Sequence, residues 1–364
     1  MPFITARKVF TNDGVLHNQA IHFDSGKISR LENWNGDFEF ENIAPALFDT
    51  HINGGANFYF TSKPDFETLR DMSAASHQTG TYYLLPALIT SSIENILHAL
   101  STTADFITQN PNSGILGIHL EGPYLHPSKR GAHLEKYIRK PDDAEIAQIL
   151  EVGKEVIKIW TIAPELFTDR QLKTIMESGI TLSVGHSNAS YEQANHAFDM
   201  GISLATHLYN AMSAFHHRNP GLVGAALLHP RVWAPIILDG KHCHFGAAQL
   251  AYMTKPDRLF LISDALFLGR KKQSFQWEEF DAELINDEYI NSEGNLAGSS
   301  ISLPEAIVNA VNYLNIPLEI AIEMASLRPA RAMGLDQNMG KIALNYPANF
   351  LAFDDDLTNF RSIS

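Results

Sequence analysis

Eight short apolar runs, each ending in a polar or turn-forming group, recur along the chain at 44–49, 81–90, 115–120, 156–163, 180–184, 202–206, 233–238 and 259–263. Runs of this kind, dense in Ile, Val and Leu and lacking strict alternation, suit strands buried on both faces. Between them, segments 65–78, 142–152, 169–178 and 191–200 space their apolar residues at helical intervals. Several of these begin with acidic residues or follow Pro, as helix N-termini do. Alternating strand and helix implies a parallel sheet with right-handed crossovers. Eight such strands predict an α/β chain closed into a (β/α)8 TIM-type barrel rather than left as an open sheet.

The two ends of the chain read differently. Segments 3–10, 19–23 and 27–31 are strand-like, with turns at Asn12-Asp13-Gly14 and Asp24-Ser25-Gly26. Segments 341–344 and 349–353 are again strand-like. Neither end is long enough to bury a good core alone. The expected organisation is a small β-sandwich domain built from residues 1–42 and 337–364, with the barrel, residues 43–336, inserted between them.

Composition narrows the partners. The formal net charge of −14 argues against a nucleic-acid binder, which needs basic patches to neutralise phosphates. A single cysteine, Cys243, excludes an intrachain disulfide framework and fits a reducing compartment. No window approaches the length of apolar residues that a membrane span needs, and the start MPFITARKVF lacks the features of a signal peptide. A cytoplasmic location with no membrane partner is expected. The 16 histidines are the outlying number, and their positions matter more than their total.

In a barrel of this kind the active site lies at the C-terminal ends of the strands. The eight runs end in Asp49-Thr50-His51-Ile52-Asn53 (first), Glu121 (third), His186 (fifth), His207 (sixth), Asp239 (seventh) and Asp264 (eighth), among others. A lone strand-end His is ordinarily a hydrogen-bonded scaffold residue. Glu121, His186 and His207, however, would all point toward one centre. One carboxylate and two imidazoles suit Zn²⁺ or another borderline divalent ion and leave a position open for water. Such an ion lowers the pKa of water from about 15.7 to near 7. Asp264 could then accept the water proton and return it to a leaving amine; the bland alternative is a carboxylate capping the next loop.

The chain resembles the amidohydrolase superfamily and, within it, the N-acetylglucosamine-6-phosphate deacetylase family. The matching stretches are HLEGPYLH at 119–126, KRGAH at 129–133, VGHSNA at 184–189, THLYNAMSAFHHRNPGLVG at 206–224, LDGKHCH at 238–244, LISDAL at 261–266 and LAGSS at 296–300. The resemblance implies removal of acetate from a 6-phosphorylated N-acetylamino sugar. It implies that Glu121, His186 and His207 hold the metal and that Asp264 is the catalytic acid/base. It further implies substrate contacts from Ala132, His133, Asn210, Ala211, Leu296, Ala297 and Gly298, with His242 near the scissile carbonyl. Arg218 matches a phosphate-binding arginine that reaches the partner's site across a homodimer interface, a role suited to its forked guanidinium.

One departure bears on the metal. The superfamily's first strand ends in His-x-His, whereas this chain has His51-Ile52-Asn53. Asn is a poor Zn²⁺ ligand beside imidazole, so one ion is expected and a second near His51 is doubtful. In Lys241-His242-Cys243-His244, adjacent residues cannot all face one ion. The expected roles there are a substrate-facing His242, a packing Cys243 and a His244 that opens a helix. His216-His217 could be phosphate-side donors or exposed loop residues. The alternatives left standing are action on the galactosamine epimer, hydrolysis of a cyclic amide, and a non-catalytic phosphosugar-binding protein.

Overall fold

The computed structural model describes residues 2–364. The chain opens with β1 (Phe3–Thr11), β2 (Gly14–Asp24), β3 (Lys27–Asn33) and β4 (Phe40–Pro45), followed by β5 (Leu47–Ile52) and α1 (Phe66–Thr79). Strands and helices then alternate: β6 (Thr81–Ile89), α2 (Ile93–Gln109), β7 (Ile118–Glu121), α3 (Asp143–Gly153), β8 (Ile157–Ile162), α4 (Asp169–Glu177), β9 (Thr181–Val184), α5 (Tyr191–Met200), β10 (Leu204–Ala205), α6 (Gly221–Leu228), β11 (Ala234–Ile237), α7 (Phe245–Thr254) and β12 (Leu259–Ile262). The order continues with β13 (Ser274–Trp277), β14 (Phe280–Ile285), β15 (Glu288–Ile290), α8 (Leu303–Leu314), α9 (Leu318–Ala325), α10 (Leu327–Ala332), β16 (Phe350–Phe353) and β17 (Arg361–Ile363). No helix among the described residues is long and apolar enough to cross a membrane.

A curled, wholly parallel sheet runs from β5 through β10 in sequence order, and β11 pairs with β12. Backbone bonds link the two pieces on both sides. Ala205 donates to the Trp233 carbonyl at 3.0 Å, and Asp264 donates to the His51 carbonyl at 2.8 Å. The buried Asp49 carboxylate reinforces the second seam by accepting from the backbone N–H of His51 and of Ser263, each at 3.2 Å. Burial pushes its pKa up to about 6 despite those bonds. Every residue of β6 is buried, as a run without alternation requires when helices cover one face of a sheet and a filled interior the other.

The helices start where the chain supplies caps. Asp65, Ser92, Thr168, Ser190 and Ser302 each accept an N–H of the first turn, the last three as full capping boxes. His244 caps α7 by accepting from the Gly246 N–H, in line with the role expected of it.

Four differences from the sequence reading have local causes. The apolar run at 44–49 is two strands: β4 pairs with β1 and β16, and β5 starts the parallel sheet, with the change of sheet at Ala46. The terminal strands are hydrogen-bonded as one six-stranded sheet, β17-β16-β4-β1-β2-β3, with no second paired layer among the described residues. It draws strands from both ends of the chain, over a core of Val9, Ile21, Ile43, Ile342 and Phe350. Segment 341–344 forms no strand; Ile342 packs into that core from a loop. Finally, β13, β14 and β15 form an antiparallel sheet of three that the sequence reading did not anticipate.

Candidate active site

The ends of β5, β7, β9, β10 and β12 converge on a cavity of about 520 Å³. Its wall includes Glu121, His133, His186, His207, His242 and Asp264, with Asn210, Ala211, Ala132 and Leu296–Gly298 around them. His186, His207 and Asp264 all have positive φ, at 47°, 35° and 50°. Non-glycine residues seldom occupy this region, and such strain concentrates at functional sites. Here the backbone turns out of its strand at the residue whose side chain enters the cavity.

Glu121 is the hub. Its Oε1 lies 3.1 Å from His207 Nε2 and 3.2 Å from His186 Nε2. Its Oε2 lies 3.4 Å from His51 Nε2 and 3.5 Å from His133 Nε2. His186 Nε2 and His207 Nε2 are 3.0 Å apart. Burial opposes the charge on Glu121, yet the surrounding imidazoles hold its pKa well below the usual carboxylate range. Burial pushes His133 down to about 4 and lowers His207 as well.

This arrangement fits a divalent cation. His186 Nδ1 lies 2.8 Å from the Lys129 carbonyl and so carries its hydrogen. Nε2 then faces the Glu121 oxygen and the His207 nitrogen, so the three atoms present to one point the N/O donor set that a divalent cation takes. Ligand atoms of Glu121, His133 and His186 also all lie within 4.8 Å of one another. His133 is therefore a possible ligand that the sequence reading assigned to substrate alone. Its other nitrogen is held by the Thr90 hydroxyl at 2.9 Å, the kind of outer partner that orients a metal-binding imidazole.

Asn53 and His51 also belong to this site. The Asn53 side-chain amide donates to Asp264 Oδ1 at 2.6 Å, and His51 Nε2 stands 3.3 Å from the same oxygen. Neither ring nitrogen of His51 has a hydrogen-bond partner among the described residues. Behind it, His119 rests edge-on against the His51 ring, bonded to the Thr50 carbonyl and the Thr161 hydroxyl. Sequence reasoning noted Asn53 only as a departure and missed its bond to Asp264. It also left Thr90, His119 and Asp239 without roles, although the Asp-x-x-His spacing of Asp239 and His242 was visible.

Arg218 is the one expected site residue that the chain does not bring to this cavity. It sits exposed on the loop between β10 and α6, with its backbone N–H bonded to His216 Nδ1 at 3.3 Å. His216 and His217 are exposed with it, their rings 4.2 Å apart.

Comparison with known proteins gives the family. Residues 42–363 match the amidohydrolase family. An N-acetylgalactosamine-6-phosphate deacetylase of Shewanella sp. is 36% identical over 96% of this chain and 91% of its own length. An N-acetylglucosamine-6-phosphate deacetylase of Haemophilus influenzae is 35% identical over 87% of this chain and 84% of its own. The crystal structure of N-acetylglucosamine-6-phosphate deacetylase from Pasteurella multocida superposes with a TM-score of 0.91 at 31% identity, covering 98% of this chain and 97% of that one. The chain belongs to the amidohydrolase family and, within it, to the N-acetylglucosamine-6-phosphate deacetylase group.

Proposed function

We propose that this chain hydrolyses the acetamide of N-acetylglucosamine 6-phosphate to glucosamine 6-phosphate and acetate. The observation that carries this reading is the convergence of Glu121, His186, His207 and Asp264 on one cavity of sugar-phosphate size. In this reading Glu121, His186 and His207 hold a single divalent ion, with zinc matching the N/O donor set. The shorter approach of His207 than of His133 to Glu121 supports that choice, and the engagement of Asn53 with Asp264 argues against a second ion beside His51. A bound ion polarises the amide carbonyl and makes water nucleophilic near neutral pH.

The chain's own groups do the rest. His242 faces the carbonyl oxygen and stabilises its developing charge. Asp264 takes the proton of the attacking water and delivers it to the C2 nitrogen, so the amine departs neutral. Asn210, Ala211, His133, Ala132 and Leu296–Gly298 contact the sugar.

Arg218 serves the phosphate of a partner subunit's substrate in a homodimer. Its exposure supports this role, as do the exposed apolar side chains Phe215 on the same loop, Leu228 on α6, and Leu250 and Met253 on α7. The same reading takes the parallel strands as a closed (β/α)8 barrel, supported by the backbone bonds at both seams. It takes the terminal sheet as a second domain drawn from residues 1–42 and 337–364, supported by its separate core. A cytoplasmic enzyme of amino-sugar metabolism is the setting these features fit.

The decisive experiment measures acetate release from a panel of N-acetylated sugar phosphates, with and without chelator. Turnover of the gluco substrate that chelator abolishes is the expected result. Preference for the galacto epimer, the substrate named for the Shewanella relative, would reassign the substrate. No acetate from any member would remove the hydrolytic reading.

A further inference from the structure

The loop after β11 contains a second buried acid–imidazole pair, apart from the Glu121 cluster. Asp239 Oδ2 lies 2.6 Å from His242 Nδ1. The other oxygen of Asp239 accepts the backbone N–H of Lys241 at 2.9 Å and of His242 at 2.8 Å. The side chains of the pair are only 8% (His242) and 11% (Asp239) exposed. Two more contacts pin the loop: Lys241 Nζ meets Glu288 of β15 at 2.6 Å, and His244 caps α7. His242 nevertheless lines the catalytic cavity. With Nδ1 engaged by Asp239, Nε2 is the ring nitrogen left to meet a ligand.

We propose that Asp239 is a positioning residue that locks the His242 ring in one orientation and keeps it an Nε2–H donor toward the substrate's carbonyl oxygen. This rests on the deacetylase reading given above. A carboxylate bonded to one imidazole nitrogen fixes the tautomer and stabilises the cationic ring, leaving the opposite N–H to donate. Burial alone would strip the charge from His242, but the Asp239 hydrogen bond and charge, joined by the nearby carboxylates, together hold the pKa above the ordinary histidine value. Reciprocally, burial raises the Asp239 carboxyl, and its bond to His242, the His242 charge and the two backbone N–H groups together leave it lowered. The other charges facing His242 are Asp264 at the end of β12 and Glu288 on β15, both of which favour the cation. The Glu288 contribution is offset by its pairing with Lys241.

The test compares Asp239→Asn, His242→Gln and the double variant with the parent in metal-loaded protein. Asn keeps an oxygen for the two backbone N–H groups and loses the charge, so the loop should retain its fold. Asp239→Asn should lower kcat/KM roughly ten- to hundredfold, as expected for loss of a hydrogen bond to a charged group. In the His242→Gln background the same change should have less than about a twofold effect, because the two residues act as one unit. In the parent, Asp239 keeps a hydrogen on Nδ1, so the Nε2–H is lost as pH rises through the His242 pKa and kcat/KM falls. In Asp239→Asn the side-chain NH2 faces Nδ1 as a donor and leaves the hydrogen of the neutral ring on Nε2. This alkaline fall should therefore disappear, with the neutral N–H a weaker donor than the cation. In protein labelled at histidine nitrogen, NMR should show a slowly exchanging His242 Nδ1–H in the parent that is absent in Asp239→Asn.

An unchanged alkaline limb, or equal losses in both backgrounds, would overturn the positioning role while leaving the deacetylase reading intact. Failure of the parent to release acetate would remove the deacetylase reading, whereas the NMR signal would still report whether the pair exists.

Discussion

Replacing Asn53 by Ala tests the geometry around Asp264 more sharply than replacing Asp264 itself. The amide nitrogen of Asn53 donates to Asp264 Oδ1 at 2.6 Å and lies 3.4 Å from the Asp264 carbonyl. A hydrogen bond to an ionised group contributes about 1.5–3 kcal/mol. His51 Nε2, 3.3 Å from the same oxygen, would remain but would not fix the carboxylate plane. If the bond acts by aiming the free oxygen at the reacting atoms, its full value appears in the barrier, a fall in kcat of roughly 10- to 150-fold. KM should hardly move, because the bond is present before substrate arrives. The backbone of Asn53 is secured separately, its N–H bonded to the Ala265 carbonyl and its carbonyl accepting from Phe60, each at 2.9 Å. The variant should therefore fold and keep its metal. Initial rates of acetate release across substrate concentrations, with metal content measured by atomic emission, check each point. A kcat within twofold of the parent, with metal retained, would refute the orienting role, and loss of metal would make Asn53 a ligand instead. Asn53→Asp should be worse than Ala, since two carboxylates would then share a gap of hydrogen-bond length.

Other outcomes follow from the same geometry. Mixing Arg218→Ala and Asp264→Asn subunits, each nearly inactive alone, should restore activity at about a quarter of the sites, because a mixed dimer has one site with both defects and one with neither. If the mixture is no more active than its parts, Arg218 does not serve its neighbour. Chelation should lower the melting temperature by about 5 °C for an ion present at a thousand times its Kd, a stabilisation of about 4 kcal/mol spread over the unfolding entropy of a chain this long; an unchanged melting temperature would leave the Glu121 cluster without its ion. Glu121→Gln should lose metal and turnover together, and retention of metal in that variant would remove Glu121 from the ligand set. Truncation after residue 345 would strip β16 from β4 and open the terminal core, so the shortened chain should be insoluble; a soluble, active product would show that the sheet is dispensable.

Much of this was legible from the sequence, and the limits have physical causes. Helix 65–78 was read within one residue of its observed bounds because Asp65 caps it and its apolar spacing is regular. Glu121, His186, His207 and Asp264 could be placed together because each stands where an apolar run gives way to polar chain, although buried polar residues such as His119 also lie within the strands. The three-stranded insert was not legible. Its strands are only half-buried, and the alternation of Phe275 and Trp277 with Ser274 and Gln276 is brief and followed by charged residues. Segment 341–344 misled in the opposite sense, since one buried residue, Ile342, gives a loop the look of a strand.

The same contrast runs through the active site. Residues at the strand ends approach one another because the curled parallel sheet brings them together, whatever the loops do. What orients them comes from elsewhere: Lys129 and Thr90 hold His186 and His133, Asn53 holds Asp264, and Asp239 holds His242. Some of these pairs join positions far apart in the chain, and all are ordinary polar contacts in composition. Strand-end residue types therefore mark the groups that line the cavity, whereas their orientation is set by partners that no periodicity marks. Substitutions among those partners should change kcat while leaving fold and metal intact, which distinguishes orientation from ligation at every one of these positions.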